Sequence, residues 1–259
     1  MSIVKRPLCL ITFSLAALLS ARALAEPPLK IAVDVPYAPF QLQHADGSFD
    51  GFEVELVNAI CTEMQRRCEW VKQPWDGIIP GLLSRKYDII ASALSVTEER
   101  ARQVRFAEAY YVVPSSWVAP ADRMLDPNDD LSGRTIGVQR STIQDDYVTR
   151  THPQADIRRY PDASALAADM SAGRLDLAFI TTPLAQEVFV DQGGYRLVGE
   201  PIREPREIFG DGIAAAFRPR DEALVERFDR ALHQVVANGT YEELMERYFD
   251  YDVRPDGLR

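Results

Sequence analysis

Short apolar runs alternate with stretches of helical periodicity along most of this chain. Leu29-Lys30-Ile31-Ala32-Val33 has the length and apolarity of a buried strand, and it ends at the loop DVPYAPF (34–40), whose prolines exclude helix. From Glu53 to Arg66 the residues Val57, Ile60, Cys61 and Met64 recur at helical spacing, and Cys68 to Val71 reads as a strand. The order repeats as a helix over 76–85, a strand over 87–91 and a short helix over 97–102. Val112-Val113 and Trp117-Val118-Ala119 then lead past a Pro-, Asp- and Asn-rich loop (120–133) into a second series. That series predicts a strand at 135–138, a tight turn at 139–142 and a helix at 143–150. A strand at 157–160, a helix over 163–172 ended by Gly173, and a strand at 175–180 follow. Gly212 to Phe217 reads as a strand. Residues 221–237 predict an amphipathic helix with Leu224, Phe228, Leu232 and Val235 on one face, and Thr240 with Glu243 predicts a capping box opening the last helix.

Alternating strands and helices argue for α/β layers around largely parallel sheets. In such sheets ligands sit at the carboxyl ends of strands, and the loops 34–40 and 92–100 both fall there. The segment SALSVTEER (92–100) then becomes informative. It sets serine and threonine hydroxyls, turn amides and Arg100 just after a strand. A guanidinium grips a carboxylate through two parallel charge-assisted hydrogen bonds, which lysine cannot do. The plainer reading is that Thr97 caps a short helix and Arg100 is a solvated charge. GVQRSTIQ (137–144) offers a second anion site where a strand turns into a helix at Ser141 and Thr142, or else Thr142 is only a cap. Tyr37 and Trp75, both in loops, suit a flat or cationic side chain or ordinary packing. Asp34 suits a ligand cation or a solvated or capping role.

The N-terminus narrows the setting. Lys5 and Arg6, the apolar run from Leu8 to Leu19 and the small-x-small Ala23-Leu24-Ala25 form an export signal with cleavage after Ala25. The run falls short of the ~20 apolar residues a bilayer needs, although an uncleaved anchor is the alternative reading. Cleavage removes three positive charges and shifts the formal net charge from −10 to about −13, a poor match for nucleic acid or anionic membranes. It also removes Cys9 and leaves Cys61 and Cys68, which in an oxidising compartment read as one disulfide or as two buried thiols. His44, His152 and His233 lack metal-ligand spacing, and neither a phosphate loop nor a GxSxG elbow occurs, so no cofactor, metal or catalytic residue is called for.

DVPYAPF, DGSFDGFEVELVNAIC with Cys68 following, QPWDGIIPGLLSRKYDIIASALSVTEER, GVQRST, AGRLDLAF and ANGTYEELMERYFDYDV together resemble the periplasmic solute-binding proteins of polar amino-acid ABC transporters. The resemblance runs from about Lys30 to Val253. It implies two α/β lobes, each a mostly parallel sheet flanked by helices, joined by two hinge strands and closing on a ligand. Carried over, lobe one is 26–111 with 212–259, lobe two is 113–210, and the family's disulfide matches Cys61 and Cys68. Arg100 would clamp an α-carboxylate, helped by Ser95 and the Thr142 amide. Ser92 and Ser95 would lie near the α-ammonium, with Ala93 and Gln139 also at the ligand. Tyr37 and Trp75 would stack on the side chain, and Asp34 and Gln144 would read its distal end. The implied protein is a monomer in the periplasm that hands an amino acid or derivative to a membrane-embedded ABC permease.

One position departs from the pattern. Members that bind primary α-amino acids place an aspartate after the AGRLDLAF-type strand, and here Thr181 stands there. A lost charge-assisted bond costs roughly 1.5–3 kcal/mol. Opine-binding relatives tolerate a neutral residue at that point, and Arg140 is a candidate for an opine's extra carboxylate. An enzyme on the same scaffold, such as an exported cyclohexadienyl dehydratase, would need a general acid that Thr181 cannot supply.

Overall fold

The computed structural model describes residues 26–258. The export signal expected at residues 1–25 lies outside them. β1 (Leu29–Val33) is buried at every residue but Lys30, as befits an inner parallel strand covered on both faces. β2 (Leu42–Gln43) and β3 (Phe49–Asp50) form a small hairpin before α1 (Phe52–Glu63), which buries Val57, Ile60 and Cys61 as the periodicity predicts. β4 (Cys68–Lys72), a 3-10 turn at Trp75–Gly77, α2 (Ile78–Leu83), β5 (Ile89–Ile90), α3 (Glu98–Ala101) and β6 (Arg105–Phe106) complete the first series.

The second series runs β7 (Ser115–Pro120), β8 (Thr135–Gln139), α4 (Ile143–Thr151), β9 (Asp156–Tyr160), α5 (Ala163–Ser171) and β10 (Leu177–Thr181). It continues through α6 (Thr182–Ala185), a π-helical turn at Gln186–Val190, β11 (Tyr195–Ile202) and α7 (Arg206–Phe209). The chain then returns for β12 (Ala216–Phe217), α8 (Glu222–Ala237) and α9 (Thr240–Tyr248).

Among the described residues these strands make two five-stranded sheets, ordered β4-β1-β5-β12-β6 and β11-β7-β10-β8-β9. In the first, β1 pairs in parallel with β4 and β5, while β12 runs antiparallel to β5 and β6. In the second, β8 pairs in parallel with β9 and β10, and β7 runs antiparallel to β10 and β11. Separate apolar cores fill the two halves. Phe52, Ile60, Phe217 and Phe228 lie in one, and Trp117, Val138, Val148 and Phe179 in the other. The expected two-lobed, mostly parallel α/β architecture holds.

Two segments cross between the sheets, and they run side by side. The Tyr111 carbonyl accepts from Ile213 N–H at 2.8 Å, and the Ile213 carbonyl accepts from Tyr110 N–H at 2.8 Å. Gly210 (φ 76°) allows the returning segment to pass close to the 92–100 turn; a Cβ there would stand 2.1 Å from the Val96 carbonyl oxygen. Val253 joins the same bundle by accepting from Val112 N–H at 2.7 Å.

Several local expectations change. The strand expected at 212–217 shortens to Ala216–Phe217, because Ile213 is drawn aside into bridges with Ser95 and Tyr111. The capping box does not form: left-handed Gly239 occupies the N-cap, and Thr240 N–H, already in the first turn, is accepted by the Asn238 side chain at 3.0 Å. On α8 the buried stripe runs through Val225 where Leu224 was expected, with Phe228, Leu232 and Val235 as foreseen. β11 and the α6 segment are additions.

Cys61 and Cys68 are disulfide-bonded, with Cα atoms 6.3 Å apart, which rules out the paired free thiols. The bond joins the end of α1 to the first residue of β4. Closing so short a loop contributes about 2.5 kcal/mol in the chain-entropy account. Replacing both cysteines by serine is expected to lower unfolding free energy by about 2 kcal/mol without shifting the far-UV spectrum. Chemical denaturation checks it, and an unchanged midpoint would remove the disulfide from the stability account.

Candidate functional site

Four strands end at one place. β1 runs into Asp34, β5 into Ser92 and Ala93, β8 into the turn at residues 140–142, and β10 ends at Thr181. Between these ends lies a cavity of about 70 Å³. One water needs roughly 10–15 Å³ on this measure, so several water-sized groups fit and a polymer does not. Asp34, Tyr37, Trp75, Ser92, Ala93, Ser95, Arg100, Gln139, Thr142, Gln144 and Thr181 all line this cavity, while Arg140 and Ser141 do not.

Arg100 is half-buried and reaches it from α3. Thr97 caps that helix, its hydroxyl accepting from Arg100 N–H at 3.3 Å. The cap expected at Thr97 is therefore present, and Arg100 is half-buried rather than a fully solvated charge. The guanidinium donates to the Ser95 carbonyl at 3.1 Å and the Ser141 carbonyl at 3.3 Å, and sits 5.3 Å from the Trp75 ring centroid. No carboxylate pairs with it among the described residues. Burial pushes its pKa down to about 10, which leaves it charged at neutral pH. A cation held by two carbonyls and an aromatic face retains donors for an anion.

Beyond Arg100 the second sheet contributes neutral groups. Thr142 both lines the cavity and caps α4, accepting from Asp145 N–H at 3.2 Å. Gln144 donates to Ser115 Oγ at 2.8 Å and Thr181 Oγ1 at 3.2 Å. Thr181 also shares a 2.6 Å hydrogen bond with the Tyr37 hydroxyl, which ties the first sheet's loop to the second sheet. Gln139 donates to the Pro161 carbonyl at 3.3 Å and hydrogen-bonds the Asp34 carboxyl. Ser92 Oγ accepts from Asp34 N–H at 2.9 Å. Burial raises the Asp34 pKa to about 6, with the Asp162 charge adding to it, against the opposing pull of Gln139, Lys72 and the Trp75 backbone.

Further contacts cross the cleft at its rim. Trp75 Nε1–H donates to the Ser141 carbonyl at 3.2 Å, and Arg140 forms an ion pair with Asp76 at 2.6 Å. Arg140 is thus engaged with Asp76 and does not line the cavity, which corrects its candidacy for a ligand carboxylate. Sequence reasoning did not single out Arg203, Phe209 or Ile143, all of which line the cavity. Arg203 follows β11, a strand the sequence analysis did not predict, so nothing in the sequence marked it. The apolar wall from Val112, Val113 and Ile213 comes from the crossing segments themselves.

The chain matches the bacterial extracellular solute-binding proteins, family 3, over residues 29–251, and it belongs to that family. It is 36% identical over 235 residues to the L-arginine-binding protein of Pseudomonas aeruginosa, covering 88% of this chain and 90% of that one. Among solved structures it resembles a periplasmic binding protein of Salmonella typhimurium described as highly specific for arginine. The TM-score is 0.80 at 26% identity, over 86% of this chain and 99% of the other. An ancestral amino acid-binding protein described as a precursor of cyclohexadienyl dehydratase aligns with a TM-score of 0.77 at 25% identity, over 86% and 96% of the two chains.

The raised Asp34 pKa carries a stability signature. The folded state holds a proton that the unfolded chain releases near pH 3.8, so this contribution is present below that pH and is lost as pH rises to about 6. Relative to Asp34→Asn, the unliganded protein is expected to lose stability between about pH 4 and pH 6 and to change no further above it. Denaturant midpoints across that range check this, and a constant difference between the two proteins would contradict the burial of Asp34.

Proposed function

We propose that this chain is the periplasmic binding subunit of an ABC importer, taking an amino acid or amino-acid derivative between two lobes and passing it to a membrane-embedded permease. The lobes are residues 26–111 with 212–259, and residues 113–210. Export through the leader at residues 1–25 delivers it to the periplasm, where it works as a monomer without a cofactor. The observation that carries this reading is Arg100, a half-buried guanidinium in the cavity with no carboxylate partner among the described residues. A ligand carboxylate supplies what that charge lacks, with Ser95 and the Thr142 amide completing the grip.

The remaining groups suit the rest of such a ligand. Trp75 and Tyr37 flank its side chain, and Asp34, with Gln144 and Gln139, faces the distal end. An ionised Asp34 matches the cationic side chain named for the arginine-binding relatives. Ser92, Ala93 and Ser95 lie at the ligand's amine.

Thr181 favours a second reading. Its hydroxyl is already engaged by Tyr37 and Gln144, and it offers no charge to a primary ammonium. Arg203 adds another cation at the cavity. A ligand with a substituted amine and a second carboxylate, as in opines, matches both features. Turnover on this scaffold is the least favoured reading: Thr181 is no acid, and the Asp34 carboxyl is held by Gln139 and the Trp75 backbone.

Calorimetry against arginine, lysine, ornithine, histidine and opines separates the two binding readings, and a prephenate or arogenate turnover assay tests the enzymatic one. Micromolar or tighter binding of one carboxylate ligand is expected. Arg100→Ala should weaken that binding by at least about a hundredfold, with the thermal transition little changed. Near-native affinity in that variant would overturn the carboxylate assignment.

A further inference from the structure

Beneath the cavity floor lies a carboxyl group that the ligand cannot touch. Glu53, in the first turn of α1, has no exposed surface and does not line the cavity. No Lys, Arg or His pairs with it among the described residues. Four donors from separate parts of the chain converge on it instead. The Gln41 side chain and the Tyr110 hydroxyl each make a short hydrogen bond to it. Ala93 N–H donates at 2.7 Å and the Tyr111 hydroxyl at 3.2 Å. The start of α1 adds the favourable end of the helix dipole.

Two of these partners belong to functional elements. Ala93 sits in the ligand turn with a positive φ of 50°, a conformation that is strained for a residue bearing a Cβ and persists only where its surroundings impose it. Its amide, turned inward onto Glu53, is the visible restraint. Tyr110 and Tyr111 form the outgoing crossing segment, and their backbones pair with Ile213 of the returning one. Ile213 in turn bridges to Ser95 of the ligand turn.

We propose that Glu53 is a positioning residue that locks the ligand turn to the hinge crossing, so that one buried carboxyl group sets both the shape of the turn and the seat of the crossing strands. It acts through Ala93 on one side and through Tyr110 and Tyr111 on the other. This rests on the carboxylate-binding reading above only for its ligand readout.

The test compares Glu53→Gln, Glu53→Leu and the double variant Tyr110→Phe/Tyr111→Phe in the full chain. Glu53→Gln keeps an oxygen for Ala93 and an amide that a tyrosine hydroxyl can accept, so it should bind within about threefold of wild type. Glu53→Leu should bind at least about tenfold more weakly at temperatures where it is folded, and its Ala93 amide should lose hydrogen-exchange protection. The probe is the tightest binder among arginine, lysine, ornithine, histidine and octopine. The double tyrosine variant leaves Ala93 and the cavity lining intact, and it decides the matter if Glu53→Leu fails to fold. It should weaken binding by about threefold or more and reduce ligand-induced compaction in solution scattering. Native affinity and native compaction in the double variant would overturn the proposal, as would a folded Glu53→Leu that is merely less stable. If wild type binds none of the probes, the functional reading fails, and Ala93 exchange in Glu53→Leu and the double variant still tests the lock.

Discussion

Taking a guanidinium out of water costs several kcal/mol unless hydrogen bonds and an opposite charge replace the solvent. Arg100 receives the hydrogen bonds but lacks the charge: two backbone carbonyls and the face of Trp75 are its company. Much of the surrounding architecture holds this incomplete arrangement in place. Thr97 fixes the short helix that carries Arg100, and Gly210 lets the returning crossing segment pack against Val96 beside it. The Ser141 carbonyl reaches it from the other sheet, so the cation already touches both halves of the molecule.

That constraint explains why the site lies where two sheets meet. Each sheet supplies loops from the carboxyl ends of its parallel strands, and each set alone is half a site. The first half brings the charged groups Arg100 and Asp34; the second brings the neutral Gln139, Thr142, Gln144 and Thr181, together with Arg203. The Tyr37–Thr181 hydrogen bond and the Arg140–Asp76 ion pair span the gap between them. The Arg140–Asp76 pair is exposed and so contributes little, whereas the Tyr37–Thr181 hydrogen bond is part-buried inside the cleft.

Local chemistry made much of this legible in the sequence. The inner strands at 29–33 and 135–139 are apolar runs, and the helix at 52–63 has an unbroken periodic face, so burial and propensity agree there. The candidate site residues stood out because their types and spacing matched a known motif set, and the structure brings them to one cavity. What escaped depended on distant partners. Ile213 leaves its predicted strand for bridges with Ser95 and Tyr111, 118 and 102 positions earlier in the chain. Gly239 pre-empted the Thr240 cap because it alone of the two adopts the left-handed turn without strain. Arg140 looked like a free cation until Asp76, far away in sequence, arrived beside it. Nothing in the sequence sets Glu53 apart from other helix carboxylates, and its burial among Gln41, Ala93, Tyr110 and Tyr111 is visible only in three dimensions.

On the function proposed above, a ligand carboxylate completes the Arg100 site and thereby holds the two halves closed. The most direct measurement is the distance between fluorophores placed on the outer surfaces of the two lobes. It would be recorded with the amino acid that binds best and with the same amino acid as its carboxamide. Shortening is expected with the carboxylate form and none with the carboxamide at the same concentration. Equal shortening with both would contradict it.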